Sequence, residues 1–288
     1  MKTLVVQHSL ADLSAVLNVS PSGYYSWLKR PESPRQQANT WLLMQVAAVH
    51  QESRQTYGSP RVTRALQARQ VPCHENRVAR IMRENGIKAR QKTPFRPRTT
   101  HSRHDDPIAP NRLKEVGKPT QPDRIWVADI TYIWTVEGWL YLAAVMDLCS
   151  RKILGWAAEN QMETQLVREA LKQALVDRRP APGLLHHSDR GSQYASSAYH
   201  ALLHSWKVLP SMSAAGNCYD NAAMEAFWST LKTEAIHGRL FQTREEAKLA
   251  IFDYIETFYN RKRLHSALDF TSPVDFETQL TYNQNNRN

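Results

Sequence analysis

Apolar positions in the first third of the chain recur at helical spacing. Leu10, Leu13 and Leu17 form one stripe, and Ser20-Pro21 is an N-cap followed by proline at the first helical position, so residues 10–30 are predicted to form two short helices. A further helix is predicted around 36–52. Ser59-Pro60 repeats the start signal and opens "RVTRALQARQ". After a turn near Val71-Pro72, "HENRVARIMRENG" places Val78, Ile81 and Met82 on one face and Arg77, Arg80 and Arg83 on another. Gly86 supplies its C-cap, but the slot before it holds Cys73 or His74 rather than a capping Ser or Asp. Two helix-turn-helix segments are predicted, at 1–50 and 51–92. An ordinary helical bundle with a charged surface would give the same pattern.

The pattern then breaks. Residues 93–122 carry six of the fifteen prolines and read as a linker. Beyond it the spacing shifts toward strands rich in Ile, Val, Tyr and Trp. "RIWVADITYIW" (124–134), "WLYLAAVMD" (139–147) and "KILGWAA" (152–158) are predicted as an antiparallel meander with Gly138 in the first turn. A helix over 164–179, a strand over 183–189, a helix over 196–206, a short strand over 207–213 and a long helix from about 220 to 237 complete a βββαβαβα order. That order predicts an α/β domain (123–240), a mixed five-stranded sheet with flanking helices, preceded by the all-α region. A C-terminal helix and basic tail (241–288) follow.

Charge narrows the function. The 288-residue chain has a net charge of +10, and residues 52–103 alone hold thirteen Lys/Arg against three Asp/Glu, a surplus equal to the whole chain's. So local an excess points to a polyanion partner, DNA above all, with Arg61, Arg64, Arg77, Arg80 and Arg83 as candidate contacts. A merely solvated face is the alternative. No apolar run reaches membrane-spanning length, and residues 1–30 lack a signal-peptide pattern, so the expected location is the cytoplasm, in association with the nucleoid. Cys73, Cys149 and Cys218 are too scattered for a disulfide framework or a CxxC zinc site, and the His101/His104 pair has no second ligand pair nearby.

Three acids stand out by placement. Asp129 interrupts the first strand, on the face of Val127 and Thr131, where an unpartnered carboxylate is costly. Asp189 ends the fourth strand, in "HHSDRGSQY", and in this strand order the first and fourth strands are neighbours. Glu225 follows after 35 intervening residues on the last long helix. At 100° per residue, Asn221, Glu225, Trp228, Ser229 and Lys232 share a face, while Ala223, Phe227 and Leu231 lie opposite and should pack on the sheet. Asn217, Asp220 and Asn221 supply capping groups at its start. Three convergent carboxylates suit Mg²⁺ or Mn²⁺, and two such ions about 4 Å apart can drive chemistry at a phosphodiester. Salt bridges with the arginine surplus would also explain the acids. Asp147, closing the second strand, is read as a turn or salt-bridge residue, and His186 and His187 as packing residues.

The strings "WVADITYI", "GWLYLAAVMDLCSRKILGW", "HHSDRGSQY", "GNCYDNAAMEAFWSTLKTE" and "YIETFYNRKRLHSAL", together with "SPSGYYSWLKR" and "YGSPRVTRAL", resemble the OrfB transposases of the IS-three family of bacterial insertion sequences. The resemblance spans most of residues 5–280. It implies a ribonuclease-H-like, retroviral-integrase-like core with a DDE triad at Asp129, Asp189 and Glu225. It also implies a pair of Mg²⁺ or Mn²⁺ ions, cleavage at the element's ends, strand transfer through a circular intermediate, and an OrfA partner or OrfA–OrfB fusion. The chain is expected to act as a homo-oligomer on terminal-repeat and target DNA. Lys232, Arg190, Arg261 and Arg263 are further candidate DNA contacts, although basic groups at a helix end also complement its dipole. A nuclease with the same metal chemistry, or a DNA-binding regulator with an inert triad, remains the alternative on residues alone.

Overall fold

The computed structural model describes residues 3–90, 108–113, 116–213 and 221–286. Most of the proline-rich linker, His101, His104, Asn217, Cys218 and Asp220 lie outside the described residues.

Five helices come first: α1 (Leu10–Val16), α2 (Pro21–Lys29), α3 (Pro34–Glu52), α4 (Ser59–Ala68) and α5 (Glu75–Glu84). Ser20 caps α2 as expected, its Oγ accepting from the Gly23 N–H at 3.0 Å. Ser59 does not cap α4. The capping position falls one residue earlier, on Gly58, whose missing side chain leaves that end without a side-chain bond. Gly86 ends α5 with φ +67°, and the Gly86 and Ile87 N–H groups turn back to Arg83 and Met82. This paired closure needs the left-handed conformation that glycine adopts without penalty.

The second region is a five-stranded sheet of β1 (Ile125–Thr135), β2 (Gly138–Asp147), β3 (Ile153–Glu159), β4 (Leu185–Ser188) and β5 (Leu209–Met212), in the order β3-β2-β1-β4-β5. β1, β2 and β3 form the antiparallel meander, while β4 runs parallel to β1 and β5 parallel to β4. Helices α6 (Thr164–Arg178), α7 (Ser192–Ala195) and α8 (Ser197–Ser205) follow β3 and β4, and α9 (Ala222–Leu231), α10 (Arg244–Phe252) and α11 (Pro273–Asn285) close the chain. Strand alternation divides the core. Trp126, Ala128, Ala143 and Val145 pack with Leu171 and Leu175 of α6 and with Tyr199 and Leu203 of α8. The alternate residues Val127, Ile133, Leu142 and Met146 pack with α9, α10 and the residues after α10. Each fully buried Leu or Val contributes about 1.5–3 kcal/mol relative to exposure. Gly155 allows α6 to sit close to β3: a Cβ there would collide with the Ala170 carbonyl.

The second apolar cluster does not stop at residue 240. It runs through Ile251, Tyr254, Ile255 and Phe258 and continues into Val62, Leu66 and Val78 of the helical region. Polar contacts tie the same junction. Arg54 bonds Asp253 at 2.7 Å, and Tyr57 Oη accepts from the Leu264 N–H at 2.7 Å.

The expected helix over 220–237 changes pitch. α9 is α-helical to Leu231, and Lys232–Ile236 forms a π-helical turn. Asp147 is fully buried as a turn anchor, accepting from the Ser150 and Asp123 N–H groups at 2.7 Å each. Its burial keeps its pKa above the usual carboxylate range, and it lies at the opposite end of β1 from the hairpin, paired with Trp126.

Candidate active site

The parallel pairing of β1 with β4 covers only Ile125–Val127 of β1. Past that point the two strands diverge, and Asp129 on β1 and Asp189, one residue beyond β4, stand at the opening. A polar residue can sit there because the strand ends expose unpaired backbone and solvent. Asp189 turns its own chain: its Oδ1 accepts from the Gly191 N–H at 2.9 Å, and a Cβ on Gly191 would press against that oxygen. This is the local reason for an acid followed by glycine after a buried strand. Behind it, His187 bonds Ser211 and Ser213 on and after β5, and His186 bonds Tyr199. Burial holds His186 neutral, lowering its pKa to about 3.

α9 brings the third acid. Asn221, just before the helix, donates to the Ala128 carbonyl at 3.3 Å, fixing its start to β1. Glu225 is in the first turn and exposed. Trp228 does not follow the expected division of faces. It is buried with Met224, Phe227 and Leu231, because its indole lies against the sheet while its N–H donates to Asp129 Oδ2 at 3.0 Å. Asp129 Oδ1 accepts from the Ile130 N–H at 2.9 Å.

Asp129 feels both other acids. Burial raises the Asp129 pKa to about 7, and the charges of Asp189 and Glu225 both push in the same direction, against the two hydrogen bonds. Asp129 thus stands in a field of like charge that a cation would relieve. Among the described residues, no three His, Cys, Asp or Glu side chains stand close enough to enclose one ion. The donor set fits a hard, oxygen-preferring divalent cation in its chemistry, with the carboxylates apart rather than drawn into a cage.

The basic candidates divide sharply. Lys232 is half-buried with its Nζ 4.9 Å from the centre of the Tyr132 ring. Burial lowers its pKa, while the Asp129 charge opposes that shift. Arg190 reaches across to β5, its Nε donating to the Ser213 carbonyl at 2.6 Å. Arg261 is exposed. Arg263 is not a surface group, contrary to expectation: it is 4% exposed and grips Glu234 with two hydrogen bonds of 2.8 and 2.7 Å. Tyr254 donates to the same carboxylate at 2.7 Å, and the neighbouring His265 is kept neutral by burial. An arginine so enclosed has no donor face for DNA. In the helical region, Arg61 lies over the Tyr57 ring and Arg64 over the Phe270 ring. Arg77 donates from Nε and Nη2 to Asn39 on α3, whereas Arg80 is partly exposed and Arg83 exposed.

A helical region with two helix pairs ahead of a mixed sheet in the order β3-β2-β1-β4-β5, with Asp129 and Asp189 at adjoining strand ends, has the architecture of an integrase-type DNA-processing protein. Comparison with known sequences agrees. Residues 36–95 match the model of an HTH-like domain, and residues 119–218 and 225–280 match two models described as integrase core domains. The chain is 43% identical over 91% of its length to the insertion element IS600 uncharacterized 31 kDa protein of Shigella sonnei, covering 96% of that protein. It is 40% identical to the transposase InsF for insertion sequence IS3A of Escherichia coli, over 95% of each chain. The solved catalytic core domain of BIV integrase aligns with 56% of this chain and 98% of its own at 16% identity, with a TM-score of 0.41. The chain belongs to the IS3 family of insertion-sequence transposases, DDE-type enzymes that cleave DNA and transfer its strands.

Proposed function

We propose that Asp129, Asp189 and Glu225 are the catalytic carboxylates of this transposase and together bind Mg²⁺ or Mn²⁺, with two ions per site. The observation that carries the assignment is geometric: parallel pairing sets Asp129 of β1 beside the end of β4 that leads to Asp189, and Trp228, one turn after Glu225 on α9, bonds Asp129. Bound ions would activate the attacking hydroxyl and stabilise the leaving oxygen of the phosphodiester. The chain's own residues do the positioning. Trp228 and the Ile130 N–H fix both oxygens of Asp129, and Gly191 fixes one oxygen of Asp189. Asn221 sets the height of Glu225 on the sheet edge. Lys232, on the next turns after Glu225, binds a phosphate of the element's end. Water and then the freed 3′-hydroxyl attack in turn, so no serine or tyrosine nucleophile is required.

The α5 arginines Arg80 and Arg83, together with Arg190 and Arg261, are assigned to the duplex backbone. The functional units are read as the helix-turn-helix segments at 1–50 and 51–92, the catalytic core at 123–240 and the C-terminal segment at 241–288. The protein acts in the cytoplasm on the nucleoid, as a homo-oligomer on DNA, with OrfA as partner or fused segment. No described helix is long and apolar enough to cross a membrane.

The test is a Mg²⁺-dependent assay on labelled element ends, with and without OrfA. Asp129→Asn, Asp189→Asn and Glu225→Gln should each abolish cleavage and joining and keep DNA binding. Cleavage without joining by the wild-type chain would favour a nuclease, and binding with neither would favour a regulator.

A further inference from the structure

The tip of the β1–β2 hairpin carries aromatic surface that the catalytic assignment leaves unused. Trp134 is 53% exposed and Trp139 is 41% exposed, although they are register partners on one face of the hairpin. Their rings meet edge to face, with centroids 4.8 Å apart, and Trp139 meets Tyr132 in the same way at 4.9 Å. The Lys232 ammonium sits over the Tyr132 ring. A continuous line therefore runs from the exposed indoles through Tyr132 to Lys232, whose charge acts on Asp129.

The hairpin is built to hold this surface still. Thr135 Oγ1 bonds the Gly138 carbonyl at 2.7 Å, and Gly138 has φ +108°. Arg244 clamps the turn from α10, donating to the carbonyls of Trp139 at 3.0 Å and Glu137 at 2.7 Å. Two half-exposed tryptophans on a rigid turn present apolar surface that folding alone does not require. One cation borders the rings, Lys232 beside Tyr132, while Arg244 is engaged with the loop carbonyls and the exposed Glu137 marks the far side of the turn. Exposed ring faces that lead to an ammonium near Asp129 match a single strand, whose bases stack while a phosphate pairs with the ammonium.

We propose that Trp134 and Trp139 form a stacking platform for unpaired bases of the DNA strand whose phosphate lies at Asp129. Tyr132 and Trp134 lie three and five residues along β1 from Asp129, at least about 10 to 17 Å at strand rise, and on the opposite face, so the DNA strand passes round the β1 edge beside Lys232. At the duplex rise of about 3.4 Å per nucleotide that distance is roughly three to five nucleotides, and fewer in an extended single strand. The platform thus takes bases within about five nucleotides of the scissile phosphate and favours ends that are melted there. The inference rests on the catalytic assignment above for the position of that phosphate.

The test uses the full chain with chelator present, so that binding is read without catalysis. Element ends with five unpaired nucleotides beside the scissile phosphate are compared with fully paired ends. Wild type should prefer the unpaired ends by about fivefold or more. Trp134→Ala and Trp139→Ala should lose that preference while binding paired ends as wild type does, and the Phe variants should keep most of it. 5-Iodouridine at the unpaired positions should photo-cross-link to Trp134 or Trp139. Equal wild-type affinity for both ends, or alanine variants that keep the preference, overturns the platform. Loss of self-association with no change in preference also overturns it, making the patch a contact between chains. Normal Mg²⁺-dependent cleavage without the preference removes the platform and leaves the triad intact. Preference without any cleavage removes the triad and leaves the platform.

Discussion

Arg263→Ala separates a buried brace from a DNA contact. In the structure the guanidinium and the Glu234 carboxylate are both almost fully enclosed, and Tyr254 completes the carboxylate's hydrogen bonding. Removing the arginine strands a charge inside the protein, with a cost of about 3–5 kcal/mol. Unfolding a chain of this length changes entropy by roughly 0.6 kcal/mol per kelvin, so the midpoint should fall by about 5–8 °C. The charge-free pair Arg263→Met with Glu234→Gln should recover much of that loss, because neither side then buries an unpaired charge. The assay is a thermal melt of the three proteins beside a salt titration of DNA binding. Below the melting range, Arg263→Ala should retain the wild-type slope of log K against log salt. An unchanged midpoint with a slope reduced by about one would refute the reasoning and return Arg263 to the DNA surface.

The neutralised triad residues should each lose catalysis by about 10³-fold or more, read as product formed by folded protein on labelled ends. Arg80→Ala with Arg83→Ala should reduce the salt slope of duplex binding by about two, whereas Arg77→Ala should act mainly on the melt, since its Nε and Nη2 brace Asn39. Phe227→Ala should cost about 3–5 kcal/mol of stability, and Lys232→Ala should weaken assembly on element ends with little change in melting. Early melting of Lys232→Ala alone would show that its stem, not its charge, is the working part.

The acids were legible because each breaks a local rule. Asp129 is a carboxylate inside an apolar strand, Asp189 is followed by the glycine its own oxygen needs, and Glu225 avoids the apolar stripe of its helix. The strand order was legible because a meander followed by crossover helices leaves few ways to place β4. Trp228 was not, since a helical wheel assigns a side chain to a face and cannot register that an indole spans two environments. Its ring is buried while its N–H serves Asp129. Arg263 was hidden for a different reason. In the run "RKR" the three residues look alike, and the partner that draws the third inward, Glu234, lies 29 residues earlier. The π-turn after Leu231 leaves no mark in the hydrophobic pattern, because Leu231 and Ala235 are buried as α-helical spacing also predicts.

The basic segment poses the same problem on a larger scale, and its resolution bears on how the two halves of the protein work together. A run of thirteen cations against three acids reads as a DNA footprint, but the structure divides those it describes by what each touches. Arg54 pairs with Asp253, Arg61 and Arg64 lie over Tyr57 and Phe270, and Arg90 donates to the Glu234 carbonyl at 2.9 Å. Arg54 and Arg64 thus face the C-terminal segment and Arg90 the π-turn, while Arg61 packs within the helical region. The carbonyl that Arg90 holds belongs to the residue that grips Arg263, and that residue sits in the π-turn begun by Lys232. A helix-turn-helix pair anchored through this turn cannot swing freely relative to the acids. Under the catalytic assignment proposed above, its position on the duplex would set which phosphate reaches Asp129. Charge along the chain reports that DNA is the partner, and only the pairing of individual arginines shows which of them read DNA and which fix the reader in place.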